Sequence, residues 1–238
     1  MTMTRRRAGA LIAGGAGMAL VPGCGAGGGE ARLRFKVIAR AQLPGADYEG
    51  FAVNEMRASY TPNSLTGFMM GRTLKMEATV LDFGGMADAL FVLLQDYLQI
   101  ILRLWDIPGP GSADETTIPK LKAASGIREL HTSTPGKPVL DANYPKLCSF
   151  RDEADPTSVY EVDPDNLAKT HGPGAKFLGL SIEIVDPKTP LTDAIDERLP
   201  WIDIDSNYSL IQPPAYHTDE TAALGRRIIP RSFKSGVY

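Results

Sequence analysis

The segment "TLKMEATVLDF", Thr73–Phe83, alternates strictly between apolar and polar residues. Leu74, Met76, Ala78 and Val80 fall on one face, and Thr73, Lys75, Glu77 and Thr79 on the other. A period of two is the signature of a half-buried strand, because successive side chains leave a strand in opposite directions. "RLRFKV", Arg32–Val37, repeats the pattern with Leu33, Phe35 and Val37 on the buried side. "EGFAVNEMRASY", Glu49–Tyr60, is a weaker strand that follows the turn "LPGAD". "GGMAD" then turns the chain into "ALFVLLQ", which makes a hairpin. The N-terminal half is thus predicted to be an antiparallel meander with one wet face.

Met86–Trp105 is the most apolar stretch after the first thirty residues. As a membrane span it fails, because Asp88, Gln95, Asp96, Gln99 and Arg103 would enter hydrocarbon. The pattern predicts a buried strand over Ala89–Gln95, then a short helix or second strand to Trp105. Leu90, Leu94, Tyr97, Ile101 and Trp105 also fit helical spacing, so one amphipathic helix docked on the sheet, or an oligomer contact, is the alternative. "TTIPKLKAASGIREL" predicts a helix from Thr117 with Pro119 in its first turn, interrupted near Gly126. "HTSTPGKP" reads as a loop and "YPKLCSFRD" as a short strand. In "VDPDNLAKTHGPG", Asp163 is an N-cap, Pro164 the first helical residue, and Gly172 lies past the end. "AKFLGLSIEIVD" is a strand with Leu178, Leu180, Ile182 and Ile184 inward. "PLTDAIDERLPWI" is a last helix with Ile195 and Leu199 as its stripe. The chain after Trp201 is polar, contains proline, and is expected to be irregular.

The first thirty residues read as an address. Arg5, Arg6 and Arg7 precede an uncharged run, Ala8–Gly23, of about 16 residues, short of the roughly 20 that a spanning helix needs. "LVPGC" then resembles the lipobox of bacterial lipoproteins: Val21, Gly23 and Cys24, with Pro22 as a departure. Cleavage before Cys24 would leave that thiol to carry lipid; ordinary cleavage nearby would give a soluble exported chain. The glycines of "GAGGGE" suit a flexible tether between lipid and domain. The chain has 25 Lys and Arg against 28 Asp and Glu. Three of its arginines lie in the signal, so the remainder is more acidic than the whole. That balance, without a basic stripe interleaved with aromatics, argues against nucleic acid as a partner. Of two cysteines, Cys148 has no partner once Cys24 is lipidated, so no disulfide is expected, and its apolar neighbours Leu147 and Phe150 predict a buried thiol.

The strongest pattern spans Leu147–Trp201. It joins "FRDEADPTSV", "VDPDNLAKTHGPG" and "RLPW". It resembles a family of proteobacterial hypothetical proteins, often small and often carrying an export or lipoprotein signal. Their hallmark is F-R-D-x-x-D-P-T-S-V, V-D-P-D-x-L-A-x-x-F-G-P-G and R-L-P-W; His171 stands here in place of the aromatic Phe. The resemblance implies an α+β domain over most of the exported chain and brings no activity with it. Read physically, Asp155-Pro156-Thr157-Ser158 is a turn, and Arg151 and Asp152 can pair across the corner it forms. Arg151, Asp152, Asp155 and His171 make the candidate binding loop, since loops on rigid scaffolds carry function.

Little else points to chemistry. His131, His171 and His217 lack metal-ligand spacing. "DIDSN", Asp203 to Asn207, imitates a calcium loop but has Tyr208 at the turn glycine and Pro214 at the bidentate acid. No catalytic residue, metal or cofactor is assigned. The sequence therefore predicts an α+β fold, an antiparallel sheet of meanders and hairpins with a few short helices packed on one side. The expected divisions are a signal over 1–23, a tether over 24–31, one domain over 32–201 and a polar tail over 202–238. The expected function is binding or scaffolding in a bacterial envelope, membrane-anchored through lipid or periplasmic, with an envelope protein as partner. An envelope hydrolase using the acids of "FRDEADP" is the alternative.

Overall fold

A computed structural model describes residues 29–61, 68–109, 112–131, 144–202, 210 and 228–236. The fold is α+β, built from two antiparallel sheets and a few short helices. Strands β1 (Gly29–Leu43), β2 (Ala46–Thr61) and β3 (Phe68–Glu77) form the predicted meander. β9 (Lys176–Val185) and β6 (Gly126–Leu130) extend it beyond β1, and β10 (Lys234–Gly236) extends it beyond β3. The order across this sheet is β10-β3-β2-β1-β9-β6. The smaller sheet has the order β4-β5-β7-β8, from Thr79–Leu81, Leu90–Val92, Leu147–Phe150 and Val159–Val162.

The period-two pattern of β1 organises both layers. Ala31, Leu33, Phe35 and Val37 pack with helices α1 (Tyr97–Leu104) and α2 (Thr117–Ala123). Further along the same face, Ala39, Ala41 and Leu43 pack on Leu81, Leu90, Val92 and Leu147 of the small sheet. The other face of the small sheet, with Phe91, Cys148 and Phe150, is covered by Ile195, Leu199, Leu210, Ile228 and Phe233. The wet face of the large sheet carries charge instead. Arg32 and Arg34 both hydrogen-bond the Glu55 carboxylate, and Lys36 lies 3.6 Å from Glu183. Burial pushes the Glu55 carboxyl up, but the hydrogen bonds and charges of the two arginines more than reverse this and hold it below the usual range.

The segment from Phe68 to Leu81 serves both sheets, and the break at Ala78 is where it changes layer. Beyond the break Thr79 and Leu81 are also buried, and Val80 packs with Ala78 on the core around Phe91, while Met76 enters the core beneath α1. As β3 peels away from β2, backbone donors are released and side chains take them. Asn54 Oδ1 accepts from Glu77 N at 2.8 Å, and Thr192 Oγ1 accepts from Val53 N at 2.8 Å. Ala78 N donates to Phe233 O at 2.7 Å. The predicted hairpin forms, with Val80 opposite Phe91.

Met86–Trp105 divides as the favoured reading has it, a strand followed by a short helix, and apart from the exposed Met86 its apolar residues are buried or partly buried. Leu90, Phe91, Val92, Ile100 and Ile101 are fully buried, so this stretch is core and not a partner surface. α1 ends in a Schellman arrangement: Ile107 N donates to Leu102 O and Asp106 N to Arg103 O, with Asp106 at φ 50°. α2 begins at Thr117 as predicted, but Gly126, at φ 78°, starts strand β6 and not a second helical stretch.

Two further expectations are corrected. Leu178 is 53% exposed, because the β1–β9 pairing slips between Arg40 and Ala41. Arg40 faces Gly179 while Ala41 faces Phe177, so Leu178 is the extra residue of a bulge that Gly179 permits at φ 122°. The region after Trp201 is not merely a polar tail: Leu210, Ile228 and Phe233 are buried, and β10 pairs with β3. The "HTSTPGKP" loop after His131, together with Asp203, Asp205, Asn207 and His217, lies outside the described residues.

Candidate functional site

The loop after β7 is built from its own acids. Asp152 Oδ1 accepts from Ala154 N at 2.9 Å, and Asp155 Oδ1 accepts from Thr157 N at 2.9 Å and from the Thr157 hydroxyl at 2.7 Å. Ser158 Oγ closes the loop by donating to Asp152 O and accepting from Asp152 N. The Asp155 carboxyl is held below its ordinary range by the Thr157 hydroxyl and amide. A general acid at neutral pH needs the opposite shift. Both carboxylates are therefore turned onto their own turn, and this geometry gives the hydrolase reading no support.

Arg151 does not pair with Asp152. Its Nη1 lies 3.1 Å from Asp88 Oδ2, and its guanidinium stacks over the Tyr160 ring at 4.2 Å. Tyr160 donates its hydroxyl to the same Asp88 oxygen at 2.7 Å. Burial pushes the Tyr160 phenol up to about 12, with Asp88 adding to the rise. His171, at the end of α3 (Ala168–His171), completes the corner. Its ring is edge-on to Phe83 at 5.4 Å, and Phe83 is edge-on to Tyr48 at 5.2 Å. The structure thus brings Arg151 and His171 together through Asp88 and leaves Asp152 and Asp155 outside the cluster.

Ser149, His171 and Asp88 superficially suggest a nucleophile with its base, but the partners of the two ring nitrogens argue against that arrangement. His171 Nε2 lies 3.1 Å from the Asp88 carbonyl and 3.4 Å from Ser149 Oγ. A carbonyl only accepts, so Nε2 carries the proton. Nδ1 lies 2.9 Å from Thr170 Oγ1, whose single hydrogen is shared with Leu167 O at 3.2 Å. The nitrogen facing Ser149 has no lone pair to take its hydrogen. The Asp88 carboxylate points to Arg151 and Tyr160 and not to the ring, and Ser149 is fully buried. Burial also lowers the His171 pKa, which keeps the ring neutral. Asp88, Arg151, Tyr160 and His171 thus form a polar corner whose side chains bond to one another.

The motif halves meet beside it. Arg198 donates Nε to Glu153 Oε2 at 2.9 Å and Nη2 to Glu153 Oε1 at 2.6 Å, while Nη1 pairs with Asp82. Trp201 Nε1 donates to Glu153 O at 2.6 Å, and its ring packs on Phe150 at 5.8 Å. "FRDE" and "RLPW" are therefore two sides of one clasp. Sequence reasoning missed Asp88 and Tyr160. Asp88 entered only as a charge that barred a membrane span, and nothing in its neighbours marks it as the acceptor for Arg151.

Cys148 is fully buried, and burial pushes its thiol well above the ordinary range, so it packs as a small apolar side chain. His131 is exposed, 3.7 Å from Glu129. Among the described residues no group of three His, Cys, Asp or Glu side chains is placed to hold a metal ion, and no helix is long and apolar enough to cross a membrane. Cys24 lies outside the described residues. No family model matches this chain, and no curated protein or solved structure matches it either.

Proposed function

We propose that this chain is an exported bacterial envelope protein, anchored through lipid on Cys24, whose folded domain acts by binding or scaffolding. One observation carries the reading: the order of Arg5–Arg7, an uncharged run, "VPGC" and a glycine tether, followed at once by the first strand at Gly29. The polar corner supports the second half of the reading. Its side chains satisfy one another in fixed bonds and leave no base for Ser149. Relationship to the proteobacterial family that shares the "FRDEADPTSV" and "RLPW" patterns belongs to the same proposal. The partner is then an envelope protein recognised by the surface that the clasp holds in place.

The deciding experiment is the intact mass of the protein from the membrane fraction, wild type against Cys24→Ala. Wild type gains the mass of acyl chains on a chain that begins at Cys24, and the variant does not. A wild-type protein without acyl mass, or with another amino terminus, overturns the anchor. Recovery of a stoichiometric partner from detergent extracts, lost on Arg151→Ala with the fold intact, tests the binding role.

A further inference from the structure

The place where β1 begins fixes more than an attachment point. Four residues, Gly25 to Gly28, separate Cys24 from Gly29. Even fully extended, that leash reaches only about 18 Å. β1 runs from Gly29 to Leu43, and at about 3.3 Å per residue its two ends lie about 45 Å apart. The leash is therefore much shorter than the body it holds. The Gly29 end also has defined neighbours. Gly29 pairs with Tyr60, Tyr60 with Met69, and Thr61 with Phe68. Gly29 backs onto Ile118 of α2, where a Cβ would stand 3.2 Å from the Ile118 side chain. α2 carries the exposed Lys120 and Lys122, with the exposed Asp114 and Glu115 just before it, so charge does not decide the contact. The polar corner sits at the other end. Tyr48, whose ring packs on Phe83 beside His171, pairs with Ala41, and Pro44 lies against Gly174 just past α3.

We infer that the acylated protein stands on a phospholipid surface on its Gly29 end, with the β2–β3 end and α2 as its footing. The Asp88–Arg151–His171 corner is then displayed about 40 Å away from the lipid, the length of β1 from Gly29 to Ala41. This orientation rests on the proposed acylation of Cys24. It assigns the lipid to one end of the domain and any protein partner to the other.

The test uses full-length acylated protein in vesicles of phosphatidylethanolamine and phosphatidylglycerol containing a headgroup spin label. Thr61→Cys, Lys120→Cys and Ala46→Cys, all at exposed positions, each receive a fluorophore; Cys148 is buried and stays unlabelled. Quenching at Thr61 and Lys120 should exceed that at Ala46 by at least about threefold, given the separation of the two ends. The acyl mass of the same samples is measured alongside. Acyl chains present with equal quenching at both ends overturn the orientation alone. Acyl chains absent overturn the anchor, and the orientation with it.

Discussion

At Gly50 the backbone of β2 presses on the backbone of β4, and the position offers a sharp test of how the two sheets are stacked. A Cβ on Gly50 would stand 2.1 Å from the Val80 carbonyl oxygen, 2.9 Å from the Val80 carbonyl carbon and 3.0 Å from Leu81 Cα. All three are backbone atoms, so no side chain can swing aside. Relaxing the shortest contact to about 3.4 Å parts β2 from β4 by about 1.3 Å. That movement lifts Leu81, Leu90 and Val92 off Ala39 and Ala41. Overpacking typically costs about 1–3 kcal/mol, and a clash between two backbones belongs at the upper end. Replacing glycine restricts the unfolded chain and offsets about 0.4–1 kcal/mol. Gly50→Ala should therefore lose about 2–2.6 kcal/mol. With a urea slope of about 2 kcal/mol/M, the midpoint falls by about 1–1.3 M at unchanged slope. Glu49→Ala, which removes an exposed pair with Arg40, should stay within about 0.5 kcal/mol of wild type. Equal midpoints for Gly50→Ala and Glu49→Ala would show that β4 does not rest on β2 in this way.

Two predictions concern the polar corner and the Arg198 clasp. His171 binds its proton less readily folded than unfolded, so its contribution is complete above its unfolded value of 6.5 and is lost as pH falls through the folded value. His171→Phe keeps the ring contact with Phe83 but removes the Nε2 hydrogen bond; it should cost about 1 kcal/mol at pH 8 and flatten the decline below pH 6.5. Urea midpoints at pH 8, 6.5 and 5.5 check this, and an unchanged decline would assign it to other groups. Arg198→Ala leaves the Glu153 and Asp82 carboxylates without their shared cation and should lose about 1–2 kcal/mol, discounted because the pair is partly exposed. Arg198→Lys should not restore the loss, since an ammonium cannot make the two-pronged bond to Glu153; a urea midpoint for Arg198→Lys equal to wild type would show that the fork is unimportant.

Alternation made β1 and β2 legible, because Leu33, Phe35 and Val37 meet one continuous core. It failed where the backbone changes step. Leu178 looked inward only while Gly179 was counted as an ordinary strand residue. Val80 does look inward, but toward the core around Phe91 and not the one that Met76 enters, because Thr73–Phe83 is two strands in two sheets. A bulge reverses which residues face the core and a change of layer sends them to another core, and composition marks neither. The turns were more legible, since Asp155 and Asp163 cap through bonds to amides two residues ahead. The corner was half legible. Arg151 and His171 were singled out with the loop, but their common partner Asp88 is more than sixty residues away in the chain, and such a pairing is set by tertiary packing alone.

The strand at Lys234–Gly236 bears on the order in which this chain can mature. It borders β3, while Phe233 fills the space beside Phe91 and Phe150 at 5.8 and 5.6 Å. Partners so distant along the polypeptide meet late, because closing a long loop precedes any gain from the contact. Until Phe233 docks, the small sheet keeps an open flank beside Phe91 and Phe150. The small sheet is therefore completed by residues far from it along the polypeptide, so its last layer is set by tertiary packing and not by local order.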